Sequence, residues 1–154
     1  MKMIVLIQCC KTKLAFKSKA KNLYISPLFK LSMEYARKIL RPQAIHILSA
    51  QYGLLDLETE IEPYNITLKE MSIIERKIWA EQIIVSLKNK YDLKNDKFIF
   101  LAGISYREFL LDSLQCYEIP LKDLSIGQQL QKLNQLISSN NKGFNLCQIK
   151  KIKK

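Results

Sequence analysis

Apolar residues in this chain come in short continuous runs separated by segments of helical period. Residues 1–7 are apolar apart from Lys2, contain Ile and Val, and end at polar Gln8, which predicts a buried strand. Ser26-Pro27 opens a helix, with Ser as N-cap and Pro at the first helical position. Leu28, Leu31, Met33, Tyr35 and Ile39 supply its apolar positions until Arg41-Pro42 stops it. Residues 44–50 predict a second buried strand. Residues 72–88 predict a helix whose stripe is Ile74, Ile78, Trp79, Ile83 and Leu87. A third strand spans 97–101 and turns at Ala102-Gly103, followed by a helix over 105–114 and a short strand over 116–119 that Pro120 closes. Ser125-Ile126-Gly127 leads into a helix over 128–137. Residues 138–143 then read as a loop and 144–149 as a fifth, edge strand.

Strands alternating with helices imply an α/β class: one three-layer α/β/α domain with right-handed crossovers and a mainly parallel sheet of four or five strands. The domain is expected over residues 1–149, with 150–154 as a basic tail. Ligands of such sheets bind at the carboxyl ends of strands, where the strand order reverses. With the first strand central, loops 8–13, 49–56 and 102–106 converge there.

One segment breaks the alternation. Ile47-Leu-Ser-Ala-Gln-Tyr-Gly-Leu-Leu-Asp56 starts as a strand, breaks at Tyr52-Gly53, and runs through Ile61-Glu-Pro-Tyr-Asn-Ile-Thr-Leu68 before a helix resumes. A loop this long inside a small domain is either functional or disordered, and its Leu, Ile and Tyr content argues against disorder. It reads as a site.

Charge sharpens the picture. Twenty-five Lys and Arg against fourteen Asp and Glu give a net charge of +11 and a pI near 9.5. Lys11, Lys13, Lys17, Lys19 and Lys21 crowd one early loop, and Lys150, Lys151, Lys153 and Lys154 end the chain. Such patches attract polyanions, nucleic acid foremost, while a lysine-rich composition equally keeps a small protein soluble. No apolar run is long enough to span a bilayer, and the start lacks a signal-peptide pattern. A cytoplasmic protein with reduced thiols and no membrane association is expected.

The single histidine, His46, lies mid-strand and reads as a core residue; with no Cys-x-x-Cys pair, no metal site and no other cofactor is expected. Cys9 ends the first strand beside Lys11 and Lys13, whose field favours thiol reactivity, the alternative being a buried apolar role; Cys10 reads as the latter. Ser125-Ile126-Gly127 either offers backbone N–H groups to an anion or simply caps its helix. Asp56, Glu58, Glu60 and Glu62 supply carboxylates, and Tyr52, Tyr64 and Tyr106 supply aromatic faces. A carboxylate can stabilise the oxocarbenium-like state of N-glycosidic cleavage, and aromatic rings stack a base. Gln8, Gln51, Gln128 and Gln129 offer amides that can read a base edge.

Five motifs occur together in order: Gln8-Cys-Cys-Lys-Thr-Lys13, Leu23-Tyr-Ile-Ser-Pro-Leu-Phe29, residues 47–56, residues 61–68, and Leu121-Lys-Asp-Leu-Ser-Ile-Gly-Gln-Gln-Leu130. In this the chain resembles the domain-of-unknown-function family 6884 of bacteria and phages over about residues 3–136. Relatives often carry Ser-Cys-Ser-Lys where this chain has Gln8 and Cys10. The stretch from Tyr52 to Tyr64 is also similar to the YaaA peroxide-stress family, linked to DNA binding. More faintly it is similar to the catalytic domain of archaeosine synthase, which modifies a deazaguanine base in tRNA. These resemblances imply a Rossmann-like or uracil-DNA-glycosylase-like fold. They also imply base-directed chemistry on nucleic acid or nucleosides, or a non-catalytic DNA- or nucleotide-binding role. The expected catalytic residues are Asp56, Glu62 and Cys9. The expected binding residues are Lys11, Lys13, Ser49, Tyr52, Gly53, Tyr64, Tyr106, Gly127 and Gln128, with nucleic acid or a nucleotide as partner.

Overall fold

The structure, a computed structural model, describes residues 1–152, with side-chain surroundings described for residues 1–140. In chain order the elements are β1 (Met3–Gln8), β2 (Ser18–Lys19), α1 (Ala20–Leu23), α2 (Pro27–Tyr35), β3 (Ala44–Ser49), β4 (Gly53–Asp56), β5 (Glu60–Ile61), α3 (Ile73–Lys90), β6 (Lys97–Leu101), α4 (Ile104–Arg107), β7 (Tyr117–Glu118) and α5 (Ile126–Ile152). A five-stranded sheet runs β4-β3-β1-β6-β7, and β2 and β5 form a separate pair.

The core strands form because their residues are apolar on both faces, as a sheet covered on both sides demands. Ile4, Val5, Leu6 and Ile7 of β1 are all fully buried, as are Ile47 and Leu48 of β3 and Phe98 and Phe100 of β6. β1 pairs in parallel with β3 (Leu6 opposite His46) and with β6 (Val5 opposite Ile99). The Ser26 hydroxyl accepts the Phe29 N–H at 3.2 Å and starts α2 as its sequence demands. Past Tyr35 the helix widens into a π turn, Ala36–Leu40, and Arg41 ends it in the left-handed region (φ 48°) just before Pro42. α2 packs against α5, and α3 against β4.

Three expectations fail. Residues 52–64 are not one irregular loop. After a turn at Gly53 (φ 74°) the chain returns as β4, antiparallel to β3, with Ile47 opposite Leu55 and Ser49 opposite Gly53. It then pairs again as β5 against β2. The alternation Leu54 half-buried, Leu55 buried, Asp56 exposed is a strand pattern hidden behind turn residues. Another lies at the far end. Residues 138–143 are not a loop and 144–149 not a strand, because α5 continues to Ile152. No proline follows Pro120, and one glycine, Gly143, costs a helix only about 1 kcal/mol. The fifth strand of the sheet is therefore β4. In addition, the helix expected over 105–114 is only the single turn of α4 plus a 3₁₀ turn at Leu111–Ser113. Lys153 and Lys154 of the basic tail lie outside the described residues. Among the described residues no helix is long and apolar enough to cross a membrane.

Candidate functional site

β1 joins to β3 on one side and lies beside β6 on the other, so the loops leaving β1 and β6 part and leave a crevice at their carboxyl ends. A pocket of about 530 Å³ opens there. Its walls are Gln8 to Thr12 after β1, Ser26 to Leu28 at the start of α2, Ile66, Thr67, Lys69 and Glu70 from the segment before α3, Tyr106 of α4, and Ile126 and Leu130 of α5. Pro27, Leu28, Ile66, Ile126 and Leu130 make the lining largely apolar, while Lys11, Lys69 and Glu70 are its exposed charged groups. The N-termini of α2 and α5 both border it, adding partial positive charge. A neighbouring cavity of about 350 Å³ shares Gln8, Leu28, Lys69, Tyr106 and Ile126.

Tyr106 holds the pocket wall together. Its buried phenol oxygen accepts the Leu68 N–H at 3.3 Å and the Cys9 S–H at 3.4 Å, and its ring meets Trp79 edge-on with centroids 5.7 Å apart. Leu68 is itself fully buried, so the polar segment around it is pinned from both ends of one residue. Burial, reinforced by Cys9, pushes the Tyr106 phenol well above its ordinary range, so it acts as a neutral hydrogen-bonding group and not as a base.

A second polar cluster sits at the carboxyl end of β3. The hydroxyls of Tyr24 and Tyr64 are 2.7 Å apart, and that of Tyr64 is 2.8 Å from the fully buried Ser49 hydroxyl. The Ser49 oxygen also accepts the Tyr52 N–H at 3.0 Å, while its carbonyl accepts Trp79 Nε1–H at 2.9 Å. Burial raises the Tyr24 and Tyr64 phenols strongly, and both stay protonated. Lys13 Nζ stands 4.4 Å from the Tyr64 ring centroid, a cation–π contact.

The structure separates the residues expected to act together. Cys9, Lys11 and Tyr106 line the pocket. Lys13, Ser49, Tyr52 and Tyr64 belong to the cluster beside it, where Tyr52 O–H donates to the Glu62 carbonyl at 3.1 Å. Glu62 is exposed on that side and is not part of the pocket lining. Asp56 was expected at the crevice and is elsewhere. Because β4 runs antiparallel, its carboxyl end lies opposite His46 in mid-β3, away from the carboxyl ends. There Asp56 lies 3.0 Å from Nδ1 of buried His46 and 3.6 Å from Lys90 Nζ, and Tyr91 meets the other ring nitrogen. His46 is thus the core residue expected. Gly53 forms the β3–β4 turn. Gly127 has open space where a Cβ would stand. The Gln128 carboxamide accepts the Ser125 N–H at 3.0 Å and the Gln128 backbone N–H donates to Ser125 Oγ at 3.3 Å, a reciprocal capping box. Capping, one of the two readings of Ser125 to Gln128, is therefore realised. Lys19 and Lys21 both pair with Glu58, at 3.0 and 2.5 Å, and with Lys21 contributing most they hold its carboxyl down at about 2. Two of the five crowded lysines are thereby neutralised.

Sequence reasoning missed Lys69 and Glu70. The signal was present in Leu68, an apolar residue between Thr67 and Lys69-Glu70, whose burial carries those neighbours to the crevice.

A family model described as a family of unknown function, DUF6884, matches residues 4–135. The chain belongs to DUF6884. No curated protein and no solved structure matches this DUF6884 chain. The matched span of the DUF6884 model contains every described pocket-lining residue.

Proposed function

We propose that this DUF6884 protein binds a nucleotide, free or within a nucleic acid, in the pocket at the carboxyl ends of β1 and β6. The observation that carries the reading is the pairing of an apolar wall with a positive rim in one cavity of nucleotide size. Leu28, Ile66, Ile126 and Leu130 offer a surface for a base, and Lys11, Lys69 and two helix N-termini offer charge for a phosphate. We read the fold as the three-layer, Rossmann-like arrangement that uracil-DNA glycosylases also resemble, with a stress-response or phage–host setting as its context.

A second reading is turnover at the base or its N-glycosidic bond, and Glu70 favours it, because a carboxylate lines the same pocket. Asp56 has no place in that reading, and Glu62 acts only if a long nucleic acid reaches past Tyr64.

Binding is tested by calorimetric titration with nucleoside monophosphates and short single-stranded DNA at two salt concentrations. Affinity should weaken with salt and fall in a Lys11→Ala/Lys69→Ala variant. Affinity that ignores both changes refutes the binding reading. Mass spectrometry of released base from normal and modified DNA tests turnover, and activity unchanged in Glu70→Gln removes Glu70 from it.

A further inference from the structure

Gln8 is the last residue of β1 and lines all three cavities at this end of the sheet. Its side chain does not turn freely. The Gly103 N–H, two residues past the end of β6, donates to Gln8 Oε1 at 2.7 Å. A backbone N–H can only donate, so the carboxamide oxygen must face Gly103 and the NH₂ must face the other way. The approach is close enough that a Cβ on Gly103 would stand 3.1 Å from Oε1 and would displace the carboxamide. Gln8 Nε2 has no partner among the described residues, and it is not sealed from solvent. The end of β1 and the turn after β6 thus hold one amide with its oxygen turned to Gly103 and its NH₂ without a partner among the described residues, on a side chain that lines the cavity.

We propose that Gln8 is a specificity-determining residue that selects oxo-bearing bases, such as hypoxanthine or uracil, over their amino-bearing counterparts adenine and cytosine. This rests on the nucleotide-binding reading above. A base carbonyl accepts from Nε2, whereas an exocyclic amino group brings a second donor against the first and leaves both unmatched. The oxygen that could rescue an amino group is turned toward Gly103, on the opposite side of the carboxamide from Nε2. A matched against a mismatched edge changes affinity by about tenfold.

The test compares ligands that differ at one position. Kd values are measured for inosine against adenosine monophosphate and for uridine against cytidine monophosphate, in the natural protein, in Gln8→Glu and in Gln8→Met. The natural protein should favour the oxo member of each pair about tenfold. Gln8→Glu keeps an oxygen for Gly103 and replaces the NH₂ by a second oxygen, so the preference should reverse. Equal charge within each pair cancels the effect of the new carboxylate. Gln8→Met should bind both members alike. A natural protein that binds all four equally, or a preference unchanged in both variants, overturns the role of Gln8 and leaves the pocket reading standing. Failure to bind any of the four bases, either as monophosphates or at one position of a short single-stranded DNA, refutes the pocket reading and this inference with it.

Discussion

Ser49→Ala should cost far more than the loss of one oxygen atom normally does. Ser49 is fully buried, and its hydroxyl serves both Tyr64 O–H and the Tyr52 N–H. A net hydrogen bond contributes about 0.5–1.5 kcal/mol, and a buried group stranded without a partner costs about 1–3 kcal/mol. Tyr64 keeps its Tyr24 partner, whereas the Tyr52 N–H loses its side-chain acceptor. The expected loss is about 2–3 kcal/mol, which for a domain of this size lowers Tm by about 4–12 °C. Urea unfolding followed by circular dichroism measures it. Tyr64→Phe supplies the sharper check, since it removes the same Ser49–Tyr64 bond from the other side. The double variant should therefore be less destabilised than the sum of the singles, by about 1 kcal/mol. Strict additivity, or Ser49→Ala within about 0.3 kcal/mol of the natural protein, refutes the hydroxyl cluster as a coupled unit.

Three further outcomes follow from the geometry. Gly53→Ala should destabilise by about 1–2 kcal/mol through the positive φ of 74° and not through crowding, because a Cβ there meets only Ile83 at 3.8 Å; Gly53→Asn, measured by the same unfolding curves, should cost less. Ser125→Ala should cost about 1 kcal/mol, and Gln128→Ala should change stability while leaving nucleotide affinity as it was; a Kd shift in Gln128→Ala without a Tm shift would return that residue to the binding set. Burial outweighs the neighbouring Asp56 and holds the His46 imidazole below its ordinary value of 6.5. The unfolded chain then takes up that proton first as pH falls, so stability from His46 is full above about 6.5 and declines below it. Unfolding midpoints at pH 7.5 and 5.5 should fall further in the natural protein than in His46→Gln, and equal declines would contradict the sign.

What was legible in the sequence was whatever burial dictates locally. β1, β3 and β6 announced themselves because a strand covered on both faces must be a continuous apolar run, and Ser26 marked a helix start because its hydroxyl satisfies a free N–H group. β4 was obscured because it is a short edge strand whose pairing depends on the turn at Gly53, and that misreading carried Asp56 to the wrong end of the sheet. The continuation of α5 was missed because Ser, Asn and Gly disfavour a helix only by fractions of a kcal/mol each to about 1 for Gly. The crevice followed from topology, but the identity of its charged rim did not, since Lys69 and Glu70 arrive there through the burial of Leu68 against Tyr106.

The antiparallel return of β4 also sets the order in which this molecule can assemble. β3 and β4 are joined through one tight turn, so their ladder closes with little loop entropy, on the hairpin timescale of about 1–10 μs. β1 must instead find residues 44–48 and 97–101, far along the chain, through parallel crossovers that carry a larger closure cost. A hairpin can thus exist before any pocket does. The crevice needs the ends of β1 and β6, the pinned Leu68 and the first turn of α5 at once, so competence to hold a ligand arrives only with the last long-range contacts. Pulsed hydrogen exchange during refolding should show amides of residues 47–55 protected before those of residues 4–8, and simultaneous protection would refute this order.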